Sequence, residues 1–156
     1  MQRQPRAGLH RYRAPTAWRD LGLPMRSLYL HRAIASGGPV AAFSLRLRHD
    51  VEQQAREQPS AASWLLKRVR REVHAILKRD VPVWFVIEQD YGRARGMHLH
   101  GELAVTQEEL PAARKALRLA AGQWLFARQH QAHTRLSPDE GWIAYVLKDA
   151  VQTRKP

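Results

Sequence analysis

The chain contains no cysteine, so it has no disulfide framework and no cysteine-ligated zinc site. It also lacks long apolar runs, since no stretch approaches the roughly 18 residues that cross a bilayer. The first residues, MQRQPRAGLHRYR, do not contain the apolar centre of a secretory signal. These absences exclude a membrane-embedded protein and a disulfide-rich secreted one, and we expect a cytoplasmic protein.

Acidic residues are few beside the basic ones. The 156 residues include 26 Lys and Arg against 14 Asp and Glu, which gives a formal net charge of +12. An excess of that size favours a polyanionic partner, either nucleic acid or an anionic membrane surface.

The basic excess is concentrated at the N-terminal end. Residues 1–38 hold one acid, Asp20, several prolines, and the arginines Arg3, Arg6, Arg11, Arg13, Arg19, Arg26 and Arg32. We predict two segments from this change in composition. The first is a basic, partly disordered arm over residues 1–38, with a short helix near Met25–Ala35. The second is one folded domain over residues 39–156.

A histidine pair marks the first chemically distinctive segment, residues 97–105, which read MHLHGELAV. Alternate side chains of a strand share a face, so His98, His100 and Glu102 point to one side. The intervening Leu99 points to the other side, where we expect the core. Two imidazoles and a carboxylate on one face are suitable ligands for a divalent metal ion.

A second carboxylate competes with Glu102 for that site. Residues 83–88, VWFVIE, are apolar, β-branched and aromatic, and they predict a buried strand that ends at Glu88. Residues 89–97 contain two glycines and predict a loop, so the two strands form a hairpin. Glu88 shares the histidine face if it pairs opposite either histidine. The sequence does not fix that register, and both carboxylates remain candidates.

A tyrosine and a lysine occupy one side of a later helix. Ser137, Pro138 and Glu140 fit an N-cap, a first helical position and the third position of a capping box. Tyr145 and Lys148 are three residues apart and lie together on this helix. They fall outside its apolar face, which consists of Ile143, Val146, Leu147 and Ala150.

The other segments complete an α+β pattern. We predict a strand over residues 41–47, a linker over residues 49–60, an amphipathic helix over residues 61–79, a second helix over residues 106–128 and a short strand over residues 132–136. The order strand, helix, strand, strand, helix, strand, helix predicts an antiparallel sheet with helices packed on it. The basic residues of the helix at 61–79 are by default a solvated surface.

The HLH strand at 98–100, Glu88 and the YVLK helix at 145–148 together resemble the HUH endonucleases, in particular the rolling-circle replication initiator (Rep) type. That family combines a His-hydrophobic-His strand, a nearby acidic or polar third ligand, and a later helix with Tyr-x-x-Lys. The resemblance covers about residues 40–152. It implies a modified ferredoxin-like or RRM-like HUH fold.

The resemblance also implies a chemistry. His98, His100 and Glu88 would hold a divalent ion; Mg²⁺ and Mn²⁺ are the family's metals, and imidazole ligands also suit Zn²⁺, Co²⁺ and Ni²⁺. Tyr145 would attack a phosphodiester of single-stranded DNA, giving a 5′-phosphotyrosine link and a free 3′-OH. Lys148 would stabilise the developing charge. The expected function is therefore sequence- or structure-specific nicking and joining of single-stranded DNA, which starts rolling-circle replication of a plasmid or phage.

The implied partners are single-stranded DNA, with an origin hairpin and a host helicase as further candidates. No Walker motif accompanies the two motifs, so unwinding would come from that helicase. No membrane partner is expected, and the sequence leaves the oligomeric state open.

Two other functions stay open at this stage. The first is a single-tyrosine transposase of the same superfamily, although those enzymes usually carry another ligand after the tyrosine instead of a lysine at the third position. The second is a non-catalytic RRM-like nucleic-acid-binding protein in which the histidine pair is fortuitous. Rival site residues also exist, namely Tyr12, Tyr29 and Tyr91 for the nucleophile and His130 with His133 for a metal.

Overall fold

The computed structural model describes residue 18, residues 21–89 and residues 96–152. Within these residues, the chain forms four strands and five α-helices. The strands are β1 (Ala41–Arg46), β2 (Val83–Gln89), β3 (Met97–Leu103) and β4 (Ala132–Leu136). The α-helices are α1 (Leu23–Ala35), α2 (His49–Arg56), α3 (Ala61–Leu77), α4 (Leu110–Ala120) and α5 (Glu140–Gln152), and a 3₁₀ turn at Arg128–His130 precedes β4.

The four strands form one antiparallel sheet in the order β2-β3-β1-β4. Helices α2 and α3 connect β1 to β2, and α4 connects β3 to β4. With this strand order, the connections give a ferredoxin-like α+β fold. The fold class predicted from the sequence, an antiparallel sheet with helices packed on it, is confirmed.

The main core lies on one face of the sheet. Phe43, Leu45 and Leu99 pack there against α3 and α4, which contribute Leu65 and Leu117. These side chains alternate along their strands with those of the opposite face, as the period-two pattern requires. The basic surface of α3 therefore lies on the far side of the sheet from His98 and His100.

Helices α1 and α5 cover part of the opposite face. They contact each other and pack Ile34, Val146 and Leu147 onto Trp84 and Val86 of β2. The cover is incomplete, and the side chains that remain accessible on this face form the site described below.

The short helix predicted near Met25–Ala35 is confirmed as α1, Leu23–Ala35. Its buried side chains, Ser27, His31 and Ile34, face the sheet and α5. This part of the sequence-defined arm is thus packed with the rest of the fold. Apart from Trp18, residues 1–20 lie outside the described part of the chain.

The linker predicted over residues 49–60 is wrong for most of its length, because His49–Arg56 form α2. Val51 and Ala55 are one helical turn apart, and both are buried in the main core. The helix predicted over residues 106–128 is also shorter than expected. It spans Leu110–Ala120 and ends before Gly122, whose φ of +74° stops a helix.

The capping box predicted for α5 is wrong, because the N-cap lies two residues later than Ser137 and the third helical position is then Trp142. Ser137 adopts a left-handed φ of 53°, and the helix begins at Glu140. The N-cap is Asp139, whose Oδ1 accepts a hydrogen bond from the backbone N–H of Trp142 at 3.2 Å. Three residues of the predicted apolar face of α5, Ile143, Val146 and Leu147, are buried, and the side chain of Ala150 lies outside the described part of the chain. In the described part of the chain, none of the helices is both long and apolar enough to cross a bilayer.

Candidate metal centre

The pairing of β2 with β3 decides which carboxylate joins the histidines. Glu88 lies directly opposite His98 in the antiparallel register. Residues opposite each other point to the same face, so Glu88 shares the side of His98 and His100. Ligand atoms of these three residues all lie within 4.8 Å of one another, and the group could hold a metal ion. In the described part of the chain it is the one group of three or more such side chains.

The surroundings of His100 fit metal ligation. Its Nδ1 is 2.9 Å from Ser44 Oγ, and its Nε2 is 2.5 Å from Glu88 Oε2. In the tautomer that leaves Nε2 to bind a metal, Nδ1–H donates to the serine hydroxyl. Such a hydrogen bond fixes both the ring orientation and the tautomer of a ligating histidine. The three side chains offer two imidazole nitrogens and a carboxylate oxygen from neighbouring strands. A divalent ion accepts this set of donors.

Glu102, the other candidate carboxylate, serves a different purpose. It is fully buried beneath α1. Its Oε1 is 2.8 Å from Nδ1 of His31, and its Oε2 accepts a hydrogen bond from the indole N–H of Trp84 at 3.0 Å. Both oxygens are thus engaged by protein groups. Glu102 is not part of the group that could hold a metal, although it lies on the histidine face.

Helix α5 places Tyr145 beside this group. The ring centroid of Tyr145 lies 6.1 Å from that of His100, and the two rings are nearly perpendicular. Trp142 stacks on Tyr145 at 5.5 Å, and Nζ of Lys148 lies 4.2 Å from the tyrosine ring centroid. Tyr145 remains 49% exposed because the buried residues of α5 lie on its other side. Tyr145 and Lys148 therefore lie together, as the sequence predicted, and both are beside the histidine strand β3.

These side chains line one cavity of about 290 Å³, which we call the metal-centre cavity. The cavity is lined by the metal-binding group and by Tyr145 and Lys148 of α5. The other lining residues are Ser44, Leu45, Arg46, Gln131 and His133. Arg46 lies opposite His98 across the β1–β3 pairing, so a permanent cation borders the site. A cavity with this charge and these donors suits an anionic ligand such as a phosphate.

The rival residues take other positions. Tyr29 is on α1, is 61% exposed and contacts Trp18, with 5.5 Å between ring centroids. It does not line the metal-centre cavity. Tyr12 and Tyr91 lie outside the described residues. The rings of His130 and His133 are 6.4 Å apart, and His133 lines the metal-centre cavity without joining a three-ligand group.

Glu52 holds the beginning of the histidine strand and was not anticipated from the sequence. Its Oε2 accepts a hydrogen bond from the backbone N–H of Met97 at 3.0 Å, and its Oε1 binds Arg56 at 2.6 Å. Burial by itself would raise the pKa of Glu52, but the hydrogen bonds from Arg56 and Met97 outweigh it and lower the pKa overall. Gly96 is required beside it, because its φ is +70° and a Cβ there would lie 2.7 Å from Glu52 Oε2.

Two further site residues, Ser44 and Arg46, could have been found from the sequence. They alternate with Phe43 and Leu45 along β1, so they had to face away from the core. What the sequence could not supply is that β1 pairs with β3 and brings them to the histidines.

The chain was compared with profiles of known protein families, with curated proteins and with solved structures, and none of them matched.

Proposed function

We propose that this protein nicks and joins single-stranded DNA with the help of a divalent metal ion, through a covalent 5′-phosphotyrosine intermediate. One observation carries the proposal. The phenol and amine of Tyr145 and Lys148 line the same cavity as Glu88, His98 and His100. Transfer of a phosphodiester to tyrosine requires a nucleophilic phenol, a cation that stabilises charge and a metal ion that binds the phosphate. This cavity brings together a tyrosine, a lysine and a metal-binding group.

The metal-binding group would hold Mg²⁺ or Mn²⁺ through one nitrogen of each histidine and the carboxylate of Glu88. When bound, the ion supplies Lewis-acid polarisation of a phosphate oxygen and orients the phosphate. Ser44 keeps His100 in the ligating orientation, and Arg46 attracts the phosphate to the open side of the cavity.

The reacting group is the phenolic oxygen of Tyr145. It forms a bond to phosphorus while the bond from phosphorus to the 3′ oxygen breaks, and the 3′ oxygen takes up a proton as the phenol loses one. Lys148 stabilises the negative charge that develops, since its ammonium lies against the tyrosine ring. One phosphoester replaces another, so a 3′-OH can later reverse the reaction and join strands.

The sheet face itself argues against an RRM-like binder without catalysis. RRM domains stack bases on aromatic residues of their central strands. Here the central strands β1 and β3 present no Phe, Tyr or Trp on the corresponding face, which carries Ala42, Ser44, Arg46, His98, His100 and Glu102. Helices α1 and α5 also cover part of that face.

The choice between a replication initiator and a transposase rests on resemblance. Lys148, at the third position after Tyr145, matches the replication-initiator pattern, and we therefore propose that the nick starts rolling-circle replication of a plasmid or phage.

The test is covalent trapping. The full chain is incubated with Mn²⁺ and a single-stranded DNA library of random sequence, and adducts that survive denaturation are counted. We expect adducts with the native protein and none with Tyr145→Phe, since that change removes only the attacking hydroxyl. Tyr29→Phe is the matched control and should keep full yield. Adducts that persist in Tyr145→Phe would contradict the assignment.

A further inference from the structure

A second cavity lies beside the metal-centre cavity. It has a volume of about 430 Å³ and is bordered by β4 and the first turn of α5, so we call it the β4–α5 cavity. Ser44, His133 and Tyr145 line both cavities. A ligand with a phosphate at the metal-binding group could therefore extend into the β4–α5 cavity without leaving the protein surface.

The aromatic wall of this cavity is the stacked pair of Trp142 and Tyr145. The indole nitrogen of Trp142 is buried and has no hydrogen-bond partner among the described residues. A buried donor without a partner is rare in a folded protein.

The polar wall combines both signs of charge. Arg135 and Asp139 are exposed and line the cavity. Arg135 shares the face of Ala42 and the histidines through the β1–β4 register. Asp139 uses Oδ1 to cap α5, which holds its carboxylate at the cavity. Concave sites for small ligands typically have this character, with apolar walls and a few placed polar groups.

We propose that the β4–α5 cavity receives one unstacked base of the DNA strand that is nicked, and that Asp139 and Arg135 read that base. This inference rests on the proposed function. The shared residues carry it, because a phosphate in the metal-centre cavity leaves the neighbouring nucleotide beside Tyr145 and Trp142. Unpaired bases bind proteins by contact with aromatic rings combined with hydrogen bonds to their edges.

The chemistry of Asp139 also predicts which bases fit. A carboxylate accepts hydrogen bonds from exocyclic amino groups, which adenine, cytosine and guanine have. Thymine presents carbonyl oxygens on both sides of its one ring N–H, and the carboxylate repels them. The cavity should therefore select against thymine at one position next to the nick.

The experiment sequences the products of the trapping reaction. Native protein reacts with the random single-stranded library and Mn²⁺, and both the attached and the released fragments are aligned at the nick. We expect thymine to be depleted about tenfold at one position beside the nick. Asp139→Asn should remove most of that depletion, and α5 should still form because asparagine is as good an N-cap as aspartate.

Arg135→Gln is the second variant and should reduce the adduct yield about tenfold, since it removes a charge-assisted contact. Arg71→Gln is the matched control, because it removes an exposed arginine on the far side of the sheet and should change neither quantity. Adducts whose base preference is the same in the native protein and both cavity variants would overturn this inference and leave the proposed function standing. No adduct with the native protein would overturn both.

Discussion

The two ends of one polar row on β3 have opposite roles. His98, His100 and Glu102 alternate along the same face of the same strand. Glu102 is sealed under α1 and bound by His31 and Trp84, whereas the histidines join Glu88 in a cavity below Tyr145. Residue type and strand face do not distinguish a structural carboxylate from a metal-binding one. The helix that covers each position does.

The two ends of the row should differ in whether they contribute to the stability of the fold or to activity. The sealed end holds α1 to the sheet through a hydrogen-bonded carboxylate, and it should contribute to folding. The open end arranges ligands for an ion and should contribute to activity.

The largest effect is expected from removing the two histidines. His98→Ala with His100→Ala takes away two of three ligands, so divalent-ion binding measured by calorimetry and adduct formation should both be lost. The fold should survive, because the core contacts of β3 come from Leu99 and Leu103 on the other face. His130→Ala is a suitable control. Unchanged metal affinity in the double variant would move the metal site elsewhere.

The second prediction removes each of the two carboxylates in a separate variant and compares the effects. Glu102→Leu leaves the buried indole N–H of Trp84 without its acceptor, and it should cost about 2 kcal/mol of unfolding free energy. Glu88→Gln should cost less stability, because the glutamine oxygen can still accept a hydrogen bond from Nε2 of His100, while it weakens metal binding. Urea unfolding and metal titration of both variants provide the comparison. Equal effects of the two variants on metal affinity would show that the division into two ends is wrong.

A smaller effect concerns DNA affinity and the N-terminal residues. Removing residues 1–17 deletes the four arginines Arg3, Arg6, Arg11 and Arg13 and no acid. If all four contact phosphates, the slope of log affinity against log salt should flatten by about 3 units for single-stranded DNA. A deletion through residue 38 is a poorer test, because it also removes α1 and leaves Glu102 without His31. An unchanged slope would mean that these arginines do not contact the backbone.

The smallest effect is the pH dependence contributed by Glu52. Its pKa in the folded protein is below the ordinary 4.5, so the unfolded chain takes up a proton first as the pH falls. The contribution of Glu52 to stability should be complete above pH 4.5 and disappear as the pH falls through the lower folded pKa. Glu52→Gln should flatten the change of unfolding free energy with pH in that acidic window. The same slope in both proteins would refute this role.

The sequence predicted most of the helices and strands and the β2–β3 hairpin, but not the register of that hairpin or the other strand pairings. Period two placed His98 and His100 on one face, and helical spacing placed Tyr145 with Lys148 outside the apolar stripe of α5, because both patterns are local. The choice between Glu88 and Glu102 depended on the hairpin register and on where α1 packs. Neither the register of the hairpin nor the packing of α1 is visible as a pattern in a single sequence.

The error at α2 has a similar cause. His49–Arg56 is rich in polar residues, and only Val51 and Ala55 turn to the core, which is too little periodicity to distinguish a short helix from a linker. Glu52 lies on that helix, so its contact with Met97 was missed together with the helix.

The most direct test of the account is to locate the covalent bond. Adducts formed with Mn²⁺ and single-stranded DNA can be digested with nuclease and trypsin and analysed by mass spectrometry. Trypsin cleaves after Arg135 and Lys148, so the relevant peptide is residues 136–148, in which Tyr145 is the one tyrosine. We expect a nucleotide phosphate on Tyr145 in this peptide. A nucleotide on Tyr29 or Tyr91, or an unmodified 136–148 peptide from purified adduct, would contradict it.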